Sequence, residues 1–317
     1  MSGTTARVDE VTARAGARLH LGFARLEGEP ARYLAAGLLL AEPALTVTAR
    51  PSGKFLVTGA DTGRAARVAE AACKAMSAPP LAIHIMRPLP PHRGLGSGTR
   101  LALTMAKLLA RAAGRRISAA ALARLTGRAE RSVMGTALFA RGGYAGAEGD
   151  TVTRAPFPRA WRVALITPAD HARTRAVHGQ KESRLIAQAS PLHGAAAERL
   201  ARLVMREAPR ALAQEDYRGF SRVVEMLQAA ARRQFSRAQG GAAATPAGRN
   251  ILAWLRAQGI TATGQSSWGP TLFAILPSAE DAALLARRLR ARKELGEALI
   301  TRVDNRGFRL TKAPAPR

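Results

Sequence analysis

A chain of 317 residues, 47% of them apolar, suits two domains that share an interface, and the lack of any apolar run near roughly 18 residues excludes a membrane span. Its 49 Lys and Arg against 22 Asp and Glu leave a formal net charge of +27, which admits nucleic acid, an acidic surface or small anionic substrates as partners. The arginine pairs at 115–116, 232–233 and 287–288 stand on helix patterns without interleaved aromatics; that excludes specific single-strand recognition and leaves solvated helix faces that help to focus small anions.

Residues 1–10 are expected to be disordered. Strand patterns follow at 11–19, 45–50 and 54–58, then a helix over 62–76. That helix carries the single cysteine, Cys73, as a small core residue; with no second cysteine there is no internal disulfide, as suits a reducing cytoplasm. Leu81, Ile83 and Ile85 alternate with Ala82, His84 and Met86 and predict a strand. A helix pattern runs from Leu101 to about Ala113 and another from Ser118, as N-cap, to about Arg128. The segment 151–159, with Pro156 and Pro158, reads as the connection between domains 1–158 and 159–317. A strand over 161–167 opens the second half. Helix patterns cover 194–207, 209–231 and 246–257, the last with Thr245 as N-cap and Pro246 at its first position. Strands at 260–264 and 271–276 come next. Ser278 then caps a helix with Glu280 and Asp281 in its first turn. A strand near 297–303 follows, and 310–317 should fray.

Between the strand at 81–86 and the helix from Leu101 stands Pro-Pro-His-Arg-Gly-Leu-Gly-Ser-Gly-Thr-Arg, residues 90–100. Gly94, Gly96, Ser97, Gly98 and Thr99 point backbone N–H groups at one spot, beside the positive end of a helix dipole. Such a place suits a phosphate or pyrophosphate. The same glycines would also serve a tight turn that needs only positive φ. There is no Gly-Lys-Ser/Thr ending, so this is not a Walker loop. The spacing is not G-x-G-x-x-G and no acid stands about 20 residues on, which argues against a dinucleotide fold. His171, His178 and His193 lack metal-ligand spacing.

The stretch resembles the phosphate loop P-x-x-x-G-L-G-S-S/G of the GHMP kinase superfamily. Residues His92 to Thr99 are similar to the loop of one offshoot, the β-ribofuranosylaminobenzene 5′-phosphate synthase family. Other segments carry the same resemblance. Ala17-Arg18-Leu19-His20-Leu21-Gly22-Phe23 is similar to that family's A-R-L-H-F/L-G opening. Arg131 to Phe139, followed by Gly142-Gly143-Tyr144, is similar to R-x-x-x-G-x-x-x-F-x-x-G-G-F. Gln239-Gly240-Gly241 and Gly264-Gln265-Ser266-Ser267-Trp268-Gly269-Pro270-Thr271 are similar to Q-G-G and G-Q-S-S-W-G-P-T.

The resemblance implies an α+β fold of two GHMP-like domains, the second a split β-α-β (ferredoxin-like) unit. It implies that Arg93, Gly94, Leu95, Gly96, Ser97, Gly98, Thr99 and Arg100 hold the pyrophosphate of 5-phosphoribosyl 1-diphosphate. The ring carbon of 4-aminobenzoate, or of 4-hydroxybenzoate, then attacks the anomeric carbon. Pyrophosphate leaves and the carboxylate is lost as CO2, on the route to tetrahydromethanopterin. Arg18 and His20, on one side of a strand, are the catalytic candidates. Arg131, Gly135, Gln265, Ser266, Ser267 and Trp268 are the substrate-binding candidates, with Trp268 as the wall for the ring. By default Trp268 is a core residue, His20 a hydrogen-bonded structural one and Arg131 a surface charge. No organic cofactor is implied; Mg2+ would accompany the diphosphate, and the protein would be a homodimer. A small-molecule kinase using ATP and Mg2+ would share the loop, and a non-catalytic basic binding protein would share the charge. Two positions depart from the family pattern. Arg100 stands where the family has Gln, and Ala145-Gly146-Ala147-Glu148-Gly149-Asp150 stands where it has V-D-G-G, which leaves either Glu148 or Asp150 as a replacement carboxylate or no such carboxylate at all.

Overall fold

The computed structural model describes residues 10–29, 32–126, 133–173, 180–239 and 243–312. The first half runs β1 (Val11–Leu26), β2 (Arg32–Pro51), β3 (Leu56–Gly59), α1 (Thr62–Met76), β4 (Leu81–Arg87), α2 (Ser97–Ala112), α3 (Ala119–Leu125), α4 (Val133–Arg141), β5 (Tyr144–Glu148) and β6 (Thr151–Ala155). The second runs β7 (Arg162–Pro168), α5 (Gln180–Gln188), α6 (Gly194–Arg202), α7 (Ala208–Ala213), α8 (Tyr217–Gln239), α9 (Pro246–Ala257), β8 (Thr263–Gln265), β9 (Leu272–Leu276), α10 (Ala279–Arg290), β10 (Leu295–Thr301) and β11 (Arg309–Lys312).

The first sheet has the order β11-β1-β2-β4-β3, with β5 pairing both β2 and β6. Its centre is β2, which begins at Arg32 rather than near 45. Leu34, Ala36, Leu38 and Leu40 enter the main core, while Ala35 and Leu39 pack on Met134 and Leu138 of α4. A strand covered on both faces has no polar alternation, so its first half carries no strand signal of that kind. Thr151–Ala155 pairs in register with β5, so the expected connection at 151–159 shortens to the residues after Ala155. The expected frayed tail also differs. Leu310 to Lys312 belong to β11, which pairs antiparallel with β1 from Val11 to Arg14; residues 1–9 and 313–317 lie outside the described residues.

The second sheet is antiparallel, in the order β10-β7-β9-β8. One face packs Ala164, Ile166, Leu272 and Ala274 against α9 and α10 through Ile251, Leu255, Leu285 and Leu289. The other sends Val163, Leu165, Phe273 and Ile275 into the main core. That shared core fixes how the two halves meet. The helix expected over 209–231 is interrupted. Glu215 takes a positive φ, and the Asp216 carboxylate accepts from the Gly219 N–H, which starts α8 afresh at Tyr217. The N-caps at Ser118, Thr245 and Ser278 form as expected, each side chain accepting from the backbone N–H three residues on.

Candidate functional site

Arg18 and His20 owe their placement to irregularities in β1. Its register on β2 shifts between Gly16 and Arg18 and again between His20 and Gly22. A bulge re-aims the side chains beside it. Leu19 points into the core while Arg18 and His20 line one cavity. Burial, and secondly the charge of Arg18, hold the His20 imidazole well below its ordinary pKa, so it is neutral at neutral pH. Burial also lowers Arg18, and the Glu182 carboxylate partly restores it.

The glycine loop lies directly against this strand. The Arg18 N–H donates to Leu95 O at 3.0 Å. Gly96, at φ 70°, forms the cap of α2 without a side-chain partner, so the first amides of the helix stay open to an anion. A Cβ on Gly96 would stand 3.3 Å from Arg18 Nε; the guanidinium stem therefore lies across the loop. Further cations gather here. Arg64 of α1 pairs with Asp61 and donates to Ser97 Oγ at 3.4 Å. Arg93 Nη1 is buried without a partner among the described residues.

The turn after β8 closes over the loop. Ser266 is fully buried; its Oγ accepts from the His20 N–H at 3.0 Å and donates to Gly94 O at 2.9 Å. A Cβ on Gly269 would stand 2.2 Å from Gly94 N, so only glycine lets the two loops touch. Ser266, expected among the substrate-binding residues, thus ties β1, the glycine loop and the second half together. Gln265 is committed in the same way, accepting from Ala244 N–H at 2.7 Å and donating to Ser267 O at 3.1 Å. Both residues shape the turn, and Gln265 also lines the cavity beside Arg18 and His20.

Beside Arg18 and His20 the cavity is walled by Phe23, Phe235, Trp268 and Ile186, with Ser267, Glu182 and Arg232 at its polar edges. Its volume is about 110 Å³, small against the ~300–1,000 Å³ of most ligand clefts and fitted to a single ring. Trp268 meets Phe235 edge-on at 5.5 Å, and Phe235 meets Phe23 at 5.9 Å. Trp268 is a wall of the cavity and also packs on the cluster of Ile186 and Phe235, so the two readings of it coincide.

Arg100 departs from expectation. It is 1% exposed, turned inward from α2 with its guanidinium carbon 5.7 Å from the Phe139 ring centroid, and none of its side-chain nitrogens has a partner among the described residues. Gly135 is buried in α4 and is not in the wall of the cavity. Arg131 lies outside the described residues, as do His178, Gly240 and Gly241. Sequence reasoning missed Arg64, Phe235, Glu182 and Arg232. Phe23 alone had a signal, the final residue of the Arg18-to-Phe23 segment.

A glycine loop heading a helix, closed over by the turn of a second α+β unit, defines a protein of GHMP type. The family described as GHMP kinases N terminal domain matches residues 63–143, and GHMP kinases C terminal matches 210–295. The chain belongs to the GHMP kinase superfamily. It is similar to the beta-ribofuranosylphenol 5′-phosphate synthase of Methanothermobacter thermautotrophicus, at 26% identity over 84% of this chain and 89% of the relative. It is also similar to that of Archaeoglobus fulgidus, at 24% identity over 94% and 98%. Among solved structures, a homoserine kinase from Cytophaga hutchinsonii has a TM-score of 0.65 at 15% identity, covering 98% of this chain and 100% of its own. A mevalonate pyrophosphate decarboxylase from Streptococcus pyogenes has 0.67 at 12%, covering 95% and 98%. These last two share the fold.

Proposed function

We infer that this protein is a decarboxylating phosphoribosyltransferase. It joins 5-phosphoribosyl 1-diphosphate to a para-substituted benzoate, releasing pyrophosphate and CO2, in the manner of the ribofuranosylphenol phosphate synthases it is similar to. The observation that carries this is the position of Arg18, which lies against the glycine loop and also lines the aromatic cavity. A sugar diphosphate in the loop and a ring in the cavity meet at that side chain. The open amides of α2, with Arg18, Arg64 and Arg93, strengthen their hold as charge builds on the departing pyrophosphate. Phe235 and Trp268 hold the ring by stacking and edge contacts. Holding both partners at one junction supplies the orientation that the carbon–carbon bond needs.

Among the described residues no three His, Cys, Asp or Glu side chains gather. At the loop stand guanidiniums, and Asp61 is tied to Arg64. That donor set suits phosphate oxygens rather than a cation, so Mg2+ enters in this reading as part of the diphosphate substrate. The same reading includes a route to tetrahydromethanopterin, a cytoplasmic setting and a homodimer, the last checked by light scattering. The deciding experiment supplies purified protein with phosphoribosyl diphosphate and carboxyl-labelled 4-hydroxybenzoate or 4-aminobenzoate. Labelled CO2 and pyrophosphate in equal amounts are expected. ATP-dependent phosphorylation of a small alcohol without CO2 would replace this function with a kinase.

A further inference from the structure

We propose that a cavity at the C-terminal end of α2 is an anion site of its own, separate from the glycine loop, which takes a small molecule with clustered phosphates. Its volume is about 550 Å³, inside the ~300–1,000 Å³ of most ligand clefts. Lys107 and Arg111 of α2 stand in its wall with Arg115 and Arg116 of the turn that follows, and no acid does among the described residues. Ile117 and Leu310 add an apolar patch. The Arg115–Arg116 pair stands on a helix pattern in the sequence, but the structure puts it in a fixed turn. Gly114 takes φ 65°, its N–H donates to Arg111 O at 3.0 Å, and the Arg115 N–H donates to Ala110 O at 2.8 Å. That pair of bonds closes a helix in the Schellman manner. Lys107 Nζ donates to Ile117 O at 2.8 Å and ties the turn back to α2. Backbone contacts thus hold the four cations around one space.

The last turn of a helix favours a cation, which accounts for Arg111. It does not account for three more around the same space. Lys107 and Arg111 are four apart on one helix, where like charges repel. Arg111, Arg115 and Arg116 have no ion-pair partner among the described residues, whereas Arg14, Arg32 and Arg64 each meet a carboxylate. A concave wall of one sign focuses its potential on the space inside. The ligand that relieves this repulsion carries two or more negative charges close together. Guanidiniums match phosphate oxygens in forked pairs, and Ile117 and Leu310 receive an uncharged part, so an organic polyphosphate fits the whole wall. A nucleic-acid strand fits it less well, because no aromatic side chain lines the cavity, among the described residues, for bases to stack on. The glycine loop lies at the other end of the 16 residues of α2, about 24 Å away at ~1.5 Å per residue. No diphosphate reaches from one to the other.

The test is calorimetric titration of the full chain with inorganic triphosphate at roughly 0.15 M salt, where isolated surface charges are largely screened. Arg115→Glu combined with Arg116→Glu should remove one equivalent of binding, or weaken it about tenfold or more. The milder Arg111→Gln should weaken the same equivalent several-fold. Arg287→Glu combined with Arg288→Glu makes the same change in net charge at exposed positions of α10 and should leave that equivalent within about twofold. Ser97→Ala, in the glycine loop, should leave it as well. Circular dichroism melts check that each variant is folded. Retention of the equivalent in the Arg115–Arg116 variant, equal losses in the two charge-reversed proteins, its loss in Ser97→Ala, or a wild type that binds no triphosphate each overturn the site. A single-stranded oligonucleotide is titrated in parallel. Binding that tightens as the strand lengthens, exceeds that of triphosphate and depends on Arg115 and Arg116 would make this wall a nucleic-acid contact and overturn the small ligand.

Discussion

Arg100→Met should make the ligand-free protein more stable while weakening its hold on diphosphate. Burial, and then the charge of Arg18, bring the Arg100 guanidinium from the ordinary 12.5 to about 9, which leaves it charged at neutral pH. At roughly 1.4 kcal/mol per pKa unit that fall corresponds to about 5 kcal/mol of unfavourable burial. The face of Phe139 returns on the order of 1 kcal/mol. Methionine removes the charge but is smaller, and the cavity it leaves takes about half of the remainder. A gain of ~2 kcal/mol is expected, or about 3 °C in Tm for a chain of 317 residues. The pH dependence has a definite sign. Above about 9 the native state sheds the Arg100 proton while the unfolded state keeps it. The unfolded state then binds more protons, so this group makes wild-type stability rise as pH climbs from about 9, and the variant lacks that rise. Pyrophosphate should raise the wild-type Tm more than the variant's, since an anion near the Arg18–Arg100 pair relieves their charge. Thermal melts followed by circular dichroism, near pH 7 and near pH 10, with and without pyrophosphate, measure all of this. A variant that melts below the wild type near pH 7 would refute the reasoning.

Trp268→Leu should raise the KM for the aromatic acid several-fold, about 1 kcal/mol of ring contact, and leave diphosphate affinity unchanged; steady-state kinetics in both substrates check this. Ser266→Ala leaves the His20 N–H and the Gly94 carbonyl without their shared hydroxyl. A loss of ~2–4 kcal/mol should appear as a lower Tm together with a higher KM for phosphoribosyl diphosphate. His20→Asn should flatten the acid side of the stability curve. The native imidazole resists protonation while the unfolded one accepts a proton near its ordinary 6.5, so wild-type stability falls as pH drops through about 6.5. Melts at pH values above and below that point separate the two proteins.

The glycine loop is legible in the chain because its signal is local: Gly94, Gly96 and Ser97 sit within four residues, between a strand and a helix. Arg18 and His20 are legible because alternation on a strand survives the bulges that re-aim them. Ser266 and Gln265 are different. Their motif marks them as special, but whether the Ser266 hydroxyl meets ligand or backbone depends on partners 172 and 246 residues away, and the Gln265 amide on how the chain folds back to Ala244. Phe235 and Glu182 come from helices whose apolar and charged patterns look like those of any surface helix. Arg100 follows the loop directly and so reads as a ligand group, yet the fourth residue of α2 turns inward to Phe139. The fold was lost in two kinds of place: where apolar runs are buried on both faces, as in the first half of β2, and where a strand is short and polar, as in Arg309–Lys312.

That last strand has a consequence for synthesis. β11 completes the edge of a sheet whose other strands belong to the first half of the chain. A ribosome working at roughly 5–20 residues per second delivers β11 about 15–60 s after β1. For that interval the N-terminal sheet presents an unpaired strand edge, the kind that recruits neighbouring chains. Crowded polysomes, where many copies of β1 emerge side by side, are therefore the place where this protein is most exposed to misassembly, and a nonsense mutation shortly before Arg309 would keep that edge open for good.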